Sequence, residues 1–281
     1  MAKAFTPGQL SNVYQQVCLA EIEAIKPGNV HIFADGHGMD VQDFIKSATA
    51  SANVITQPGL GLGERIYRSI EATWQAVNCN TNLGIVLLCA PIVQAALSST
   101  AGNQRNQLEQ VLSETTKTDA EWLFKAIRLA NPAGLGNTGQ HDVHAPVKGT
   151  LLEAMHASAE RDFIGLQYSN GFQHVFEEGI TQYQHALLNW GNVSWATSAL
   201  YLYWLSHYQD SHIVRKYGLK TAGLVQQEAL SHYTVFLGQK NPKLYFSPLL
   251  QFDASLKKRK INPGTSADLT VATLLLYACI K

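Results

Sequence analysis

Apolar residues recur at intervals of three and four along nearly the whole chain, and almost nowhere do they alternate with polar ones. A period near 3.6 puts such residues on one stripe of a helix, whereas a half-buried strand needs a period of two. The pattern therefore confines the chain to packed helices. Within 6–25, Tyr14, Cys18, Glu21 and Ile25 fall on one stripe, and Pro27-Gly28 stops the run. Segments 41–54, 62–77, 83–97 and 104–113 read as further helices, the third of them (83–97) apolar enough to be central. Thr118-Asp119-Ala120-Glu121 spells a capping box, with Thr118 as N-cap, opening a helix to Ala130. The pattern resumes in 150–171, 172–188, 194–207, 219–236 and 266–280. Residues 26–40, 131–149, 209–218 and 257–265 gather Gly, Pro, His, Asp and Lys and read as loops. The expectation is an all-α fold, one compact domain over 1–281 of about ten helices, with its chemistry in loops at helix ends. No repeat or long linker divides it.

Charge and composition narrow the function. The 281 residues carry 21 Lys+Arg against 21 Asp+Glu, with ten histidines. No basic block offers the clustered cations that nucleic acid demands. The polyphosphate of a nucleotide is not excluded, because cations gather locally at 26–40 and 210–216. The longest apolar run, 83–97, spans about 15 residues and is broken by Pro91 and Gln94, short of the roughly 20 needed to cross a bilayer. The first ten residues lack the pattern of a secretory signal, so the cytoplasm is the expected compartment. Cys18, Cys79, Cys89 and Cys279 form no CxxC pair and read as small hydrophobes in a reducing environment.

Five clusters concentrate reactive side chains. Glu21 lies on the apolar stripe of the first helix, so it is either paired structurally, with Lys26 as partner, or held beside a site. Lys26, His31 and His37 follow within Lys26-Pro27-Gly28-Asn29-Val30-His31 and Gly36-His37-Gly38-Met39-Asp40, and each can donate to an anion. Asn80, Thr81 and Asn82 precede the apolar helix, either as its N-cap or as amides holding a phosphate at its N-terminus. Gly134-Leu135-Gly136 and His141-Asp142-Val143-His144 suggest a phosphate loop or a metal site, with Asp142 a candidate ligand, although no strand precedes them as a dinucleotide fingerprint requires. Arg161-Asp162 reads as an ion pair inside a helix. In Asp210-Ser211-His212-Ile213-Val214-Arg215-Lys216-Tyr217-Gly218, Asp210 suits an N-cap and Gly218 a C-cap, and the cations between them suit polyphosphate. Asn262-Pro263-Gly264-Thr265-Ser266-Ala267-Asp268 follows a basic run, and 265–268 also fits a capping motif.

In this order the motifs resemble the triphosphoribosyl-dephospho-CoA synthases, which make the prosthetic-group precursor of citrate lyase and malonate decarboxylase. The matching stretches are 26–30, 36–40, 80–85, 210–218 and 263–269, collinear over nearly the whole chain. The resemblance implies an all-helical transferase using ATP and 3′-dephospho-CoA. The 2′-hydroxyl of the acceptor ribose attacks C1′ of ATP, adenine leaves, and an α-linked triphosphoribosyl group results. It departs from the citrate-lyase branch at Asn82-Leu83, where His-Lys is usual, and at His212 and Arg215, where Asn and His are usual. The chain is in this respect similar to the divergent branch of archaea and methylotrophs.

An oxocarbenium-like reacting carbon calls for a carboxylate, and Glu21, Asp40, Asp210 and Asp268 are the candidates. The triphosphate calls for Mg²⁺ and donors: Lys26, His31, His37, Arg215 and Lys216, with Gly28, Asn29, Asn80, Thr81, Asn82, His212, Gly264 and Ser266 completing the expected binding set. Asp210 and Asp142 are the candidate metal ligands. Three alternatives stay open: a related nucleotide-using enzyme of one-carbon cofactor synthesis, a metal-dependent nucleotide or ribosyl hydrolase built on His141, Asp142, His144, Asp210 and His212, and a non-catalytic helical binding protein. The number of subunits also stays open, a homodimer among the options.

Overall fold

Thirteen α-helices carry the chain in the computed structural model, which describes residues 5–98, 103–132 and 146–281. They are α1 (Pro7–Glu23), α2 (Val41–Ile55), α3 (Leu62–Val77), α4 (Leu83–Leu97), α5 (Gln104–Ser113), α6 (Lys117–Ala130), α7 (Leu151–His156), α8 (Phe163–Ser169), α9 (Ile180–Trp190), α10 (Val193–His207), α11 (Ser211–Leu237), α12 (Phe246–Lys258) and α13 (Gly264–Ile280). A π-helical turn, Val175–Gly179, leads into α9, and a 3₁₀ turn, Pro242–Tyr245, leads into α12. No strand occurs among the described residues. The nearest approach is a pair of isolated bridges, His31 with Ala34 and Gly36 with Met39.

Helix α4 is central because nearly all of its residues are apolar, leaving it no face for water. It packs on α13, which in turn packs on α10, and these three carry buried residues around most of their circumference. Helices α1, α2, α3 and α6 cover one side of this centre, and α9 and α11 the other. The buried apolar side chains form one cluster running from Leu10 to Leu276. Pro91 sits inside α4 and has no N–H to offer the carbonyl of Leu87 one turn earlier. The Tyr168 hydroxyl of α8 donates to that carbonyl instead, at 2.5 Å. Arg65, 2% exposed, likewise serves freed carbonyls: its guanidinium donates to Ile55, Gln57 and Leu60 around the end of α2.

The helix count exceeds the sequence expectation for identifiable reasons. Segment 150–171 is not one helix: turns at 157–162 separate α7 from α8, and Asp162 is the N-cap of α8. The expected Arg161–Asp162 ion pair is absent from the described residues, and Asp162 pairs with Arg215 at 3.3 Å instead. The cap of α6 is Thr116, not Thr118, with Asp119 at its third position. Both registers spell a capping box, but Asp119 also accepts the Gly63 amide at 2.9 Å, tying the start of α6 to the start of α3. Residues 211–217 are helical rather than loop, because Asp210 caps them. Gly218, at φ 81°, breaks the rod without ending it, and α11 resumes at Leu219. Lys257 and Lys258, expected in a loop, close α12.

Candidate active site

The chain leaves α1 through Lys26-Pro27-Gly28-Asn29, which forms a β-turn closed by the Asn29 amide on the Lys26 carbonyl at 3.0 Å. Pro27 sets the second position, and Gly28, at φ 86°, takes the third, where a side chain would be strained and would strike Pro263 and Leu256. This type II geometry brings the Lys26 and Asn29 side chains together. The Lys26 ammonium, fully buried, donates to Glu21 of α1 and to the Asn29 side chain at 3.1 Å. Burial raises the Glu21 carboxyl above its ordinary range, and Lys26 offsets only part of that rise. The turn is clamped from outside: Tyr201 donates to the Pro27 carbonyl at 2.7 Å, and Asp253 accepts the Gly28 amide at 2.8 Å. Asp253 also faces His31 and Lys257. Burial works against the Asp253 carboxylate, but His31, the Gly28 amide and Lys257 outweigh it and hold it below its ordinary range. His31 is wholly buried and pushed down by that burial, so it serves the loop as a neutral ring.

At the start of α4, Asn82 is the N-cap, and Asn80 accepts the Leu83 amide at 3.2 Å. Thr81 donates to Ser47 at 2.6 Å, and Asn82 donates to Thr73 at 3.0 Å. These side chains knit α4 to α2 and α3. A third joint links α11 to α13. Asp210 accepts from the His212 and Ile213 amides at 3.0 and 3.2 Å, and from the Ser266 amide and hydroxyl at 2.8 Å each. Burial raises the Asp210 carboxyl, and these donors oppose it. Thr265 accepts the His212 amide at 3.2 Å. It does not cap α13, which opens from Pro263 without a side-chain cap.

These three junctions surround one cavity of about 470 Å³, within the range of small-molecule sites. Glu21, Asp162 and Asp268 supply its carboxylates. Arg215, Lys216, His37 and His212 supply cations and imidazoles, and Asn29, Asn80 and Thr81 neutral donors. Met39, Phe44, Leu87, Ile127 and Ile164 give it apolar walls. Asp268 reaches over the first turn of α4, where a Cβ on Gly84 would lie 1.9 Å from its Oδ2. Burial drives the Asp268 carboxyl far up, and repulsion by Asp210 and Glu21 adds to the rise. His212 lies over Gly264, whose Cβ would meet its Nδ1 at 2.8 Å. Its pKa is pushed down to about 4 by burial, with Arg215, Lys216 and His37 adding to the fall, so its ring is neutral at pH 7.

Of the residues singled out in the sequence, Glu21, Asn29, His37, Asn80, Thr81, His212, Arg215, Lys216, Gly264 and Asp268 line this cavity. Lys26, Gly28, His31, Asn82, Asp210 and Ser266 stand behind it and hold the lining in place. Asp40 does neither: it is exposed and caps α2 through the Asp43 amide at 3.0 Å. Asp142, His141, His144, Gly134 and Gly136 lie outside the described residues. Sequence reading took Asp162 for half of an intrahelical ion pair, and it missed Asp253. The cap position of Asp162 was a usable signal, since an Asp immediately before an apolar pair, here Phe163-Ile164, marks a helix start. Asp253 sits within an uninterpreted stretch, and only its fold partners reveal it.

The sequence profile of the CitG family, described as ATP:dephospho-CoA triphosphoribosyl transferase, matches residues 7–281. A comparison with curated proteins finds no match. Among solved structures, a protein of Archaeoglobus fulgidus provisionally named triphosphoribosyl-dephospho-CoA synthase superposes with a TM-score of 0.65 at 23% identity, covering 83% of this chain and 97% of its own.

Proposed function

The chain belongs to the family of ATP:dephospho-CoA triphosphoribosyl transferases, and from that membership we propose that it binds Mg·ATP in the cavity and transfers the triphosphoribosyl group to a ribose hydroxyl of 3′-dephospho-CoA, releasing adenine. A bond forms between the acceptor oxygen and C1′, the C1′–N9 bond breaks, and its electron pair leaves with adenine. The hydroxyl proton must be taken up and the departing base must receive one.

The observation that carries the reading is that two carboxyl groups share the cavity, both raised by burial, and only one of them has a lysine to offset the rise. Glu21 has a lysine against it, whereas Asp268 is buried beside two other acids. Environments that push two titratable groups apart mark out an acid and a base. Glu21 is then the anion that stabilises positive charge at C1′ and accepts the hydroxyl proton. Asp268 is the carboxylic acid that protonates adenine. Arg215 and Lys216, with the neutral donors at the start of α4, face the triphosphate, and the apolar wall takes the base. Among the described residues no three His, Cys, Asp or Glu groups converge as a metal cage. Mg²⁺ enters as part of the substrate, coordinated mainly by phosphate oxygens.

The test is to mix protein, Mg·ATP and dephospho-CoA and follow free adenine by chromatography and the acceptor by mass. Adenine and a triphosphoribosyl-shifted acceptor in equal amounts are expected, with both lost in Glu21→Gln. ADP or AMP in place of adenine, or no turnover, overturns the reading.

A further inference from the structure

We propose that Lys26 is a positioning residue: a buried ammonium, set behind the cavity wall, that holds the Glu21 carboxylate as an anion facing the cavity. The inference rests on the transfer reading above and gives Lys26 a different task from the phosphate contact its sequence motif suggests.

Four observations converge on it. Lys26 has no exposed surface and does not line the cavity, whereas Glu21 and Asn29, the two groups it donates to, both do. The Asn29 amide is itself oriented, because its Nδ2 donates to Asn262 Oδ1 at 2.8 Å and so turns its oxygen toward the ammonium. The backbone on which Lys26 sits is locked by the Gly28 conformation and by the Tyr201 and Asp253 hydrogen bonds. Reaching a phosphate would mean breaking the ammonium's contacts with Glu21 and Asn29. Finally, the other groups acting on Glu21 cannot replace Lys26. Asp268 of α13 is an acid that would repel it if ionised, and Cys18 of its own helix and Tyr201 of α10 are neutral. The groups acting on Lys26 besides Glu21 are Asp268, Lys257 of α12, His31 and Cys18. Among the described residues Lys26 is thus the cation that offsets the cost of keeping Glu21 charged away from water.

A phosphate ligand and a positioning residue fail differently. If Lys26 bound phosphate, its loss would weaken Mg·ATP binding and leave the bound complex competent. If it holds Glu21 charged, its loss leaves Mg·ATP binding largely intact, moves the Glu21 titration to higher pH, and weakens the acceptor of the hydroxyl proton.

The experiment compares wild type, Lys26→Gln and Lys26→Arg for Mg·ATP binding by calorimetry, for kcat across pH, and for the Glu21 carboxyl titration by ¹³C NMR, assigned with Glu21→Gln. For Lys26→Gln the expected result is a kcat reduced on the order of a hundredfold near pH 7. Nucleotide affinity stays close to wild type, and the acid limb of kcat moves to higher pH. Lys26→Arg recovers part of the rate, and should the glutamine variant not fold, this variant carries the test through the same affinity and pH readouts. An affinity loss of about tenfold or more with kcat nearly unchanged marks a phosphate ligand and overturns the proposal. If wild type releases no adenine, the transfer reading fails on its own. The NMR titration then decides the role of Lys26: a Glu21 carboxyl that titrates at higher pH without the lysine supports it, and one that does not move overturns it.

Discussion

Asp210 and Asp268 are both acids held near the first turns of α13, yet the fold treats them in opposite ways. Asp210 accepts four hydrogen bonds, from two amides of α11 and from the amide and hydroxyl of Ser266, so its oxygens are spent joining two helices. Asp268 faces the cavity over Gly84, where burial and the neighbouring acids dominate its state. A carboxylate whose acceptor sites are filled by backbone is a joint, and one left with a free oxygen and a perturbed proton is available for chemistry. Residue type is the same in both cases, and among the described residues the supply of donors separates them.

The largest contrast should appear in rate. Asp268→Asn is expected to lower adenine release by about 10³-fold while leaving the melting temperature unchanged or higher, because the amide cannot donate a catalytic proton and removes a repelled acid. Loss of stability with retained rate would reverse the assignment. Asp210→Ala should do the converse: it leaves the first turns of α11 and α13 without their acceptor, and urea unfolding should show a loss of about 3 kcal/mol. Gly84→Ala comes next. The added methyl must displace the Asp268 carboxylate, so a stability loss of about 2 kcal/mol and a clear fall in kcat are expected, with nucleotide affinity less affected.

The smallest effect is a dependence on pH. The Asp268 carboxyl holds its proton more tightly in the fold than in the unfolded chain. Above about pH 4 the folded state therefore carries the extra proton, and stability falls as pH rises through that window. Asp268→Asn lacks this contribution. Its melting temperature should gain on wild type between pH 4 and 7, and a constant difference would contradict the assigned burial.

Much of this arrangement was readable in the sequence. Helices α3, α4 and α5 begin and end where periodicity and punctuation put them, because Gly61, Asn82 and Asn103 precede clean apolar patterns. Glu21 announced itself as a charge on an apolar stripe, and the cavity lies against it. Side-chain direction was harder to read. The Lys-Pro-Gly motif shows a turn, but whether Lys26 points outward to a phosphate or back to Glu21 depends on a type II geometry clamped from α10 and α12, far away in sequence. Asp210 and Asp268 looked equivalent for the same reason, since the Ser266 donors and the bare Gly84 surface exist only once α4, α11 and α13 meet. Asp162 hid inside an apparently continuous helix whose break at 157–162 the apolar spacing concealed.

The proposed transfer of a triphosphoribosyl group in this cavity uses Asp268 as its working acid. It is tested most directly by measuring adenine and triphosphoribosylated dephospho-CoA together for wild type, Asp268→Asn and Asp210→Asn at equal concentrations of folded protein. The account predicts equimolar products from wild type, nearly none from Asp268→Asn, and substantial turnover from the Asp210→Asn molecules that remain folded. Equal turnover from wild type and Asp268→Asn would contradict it.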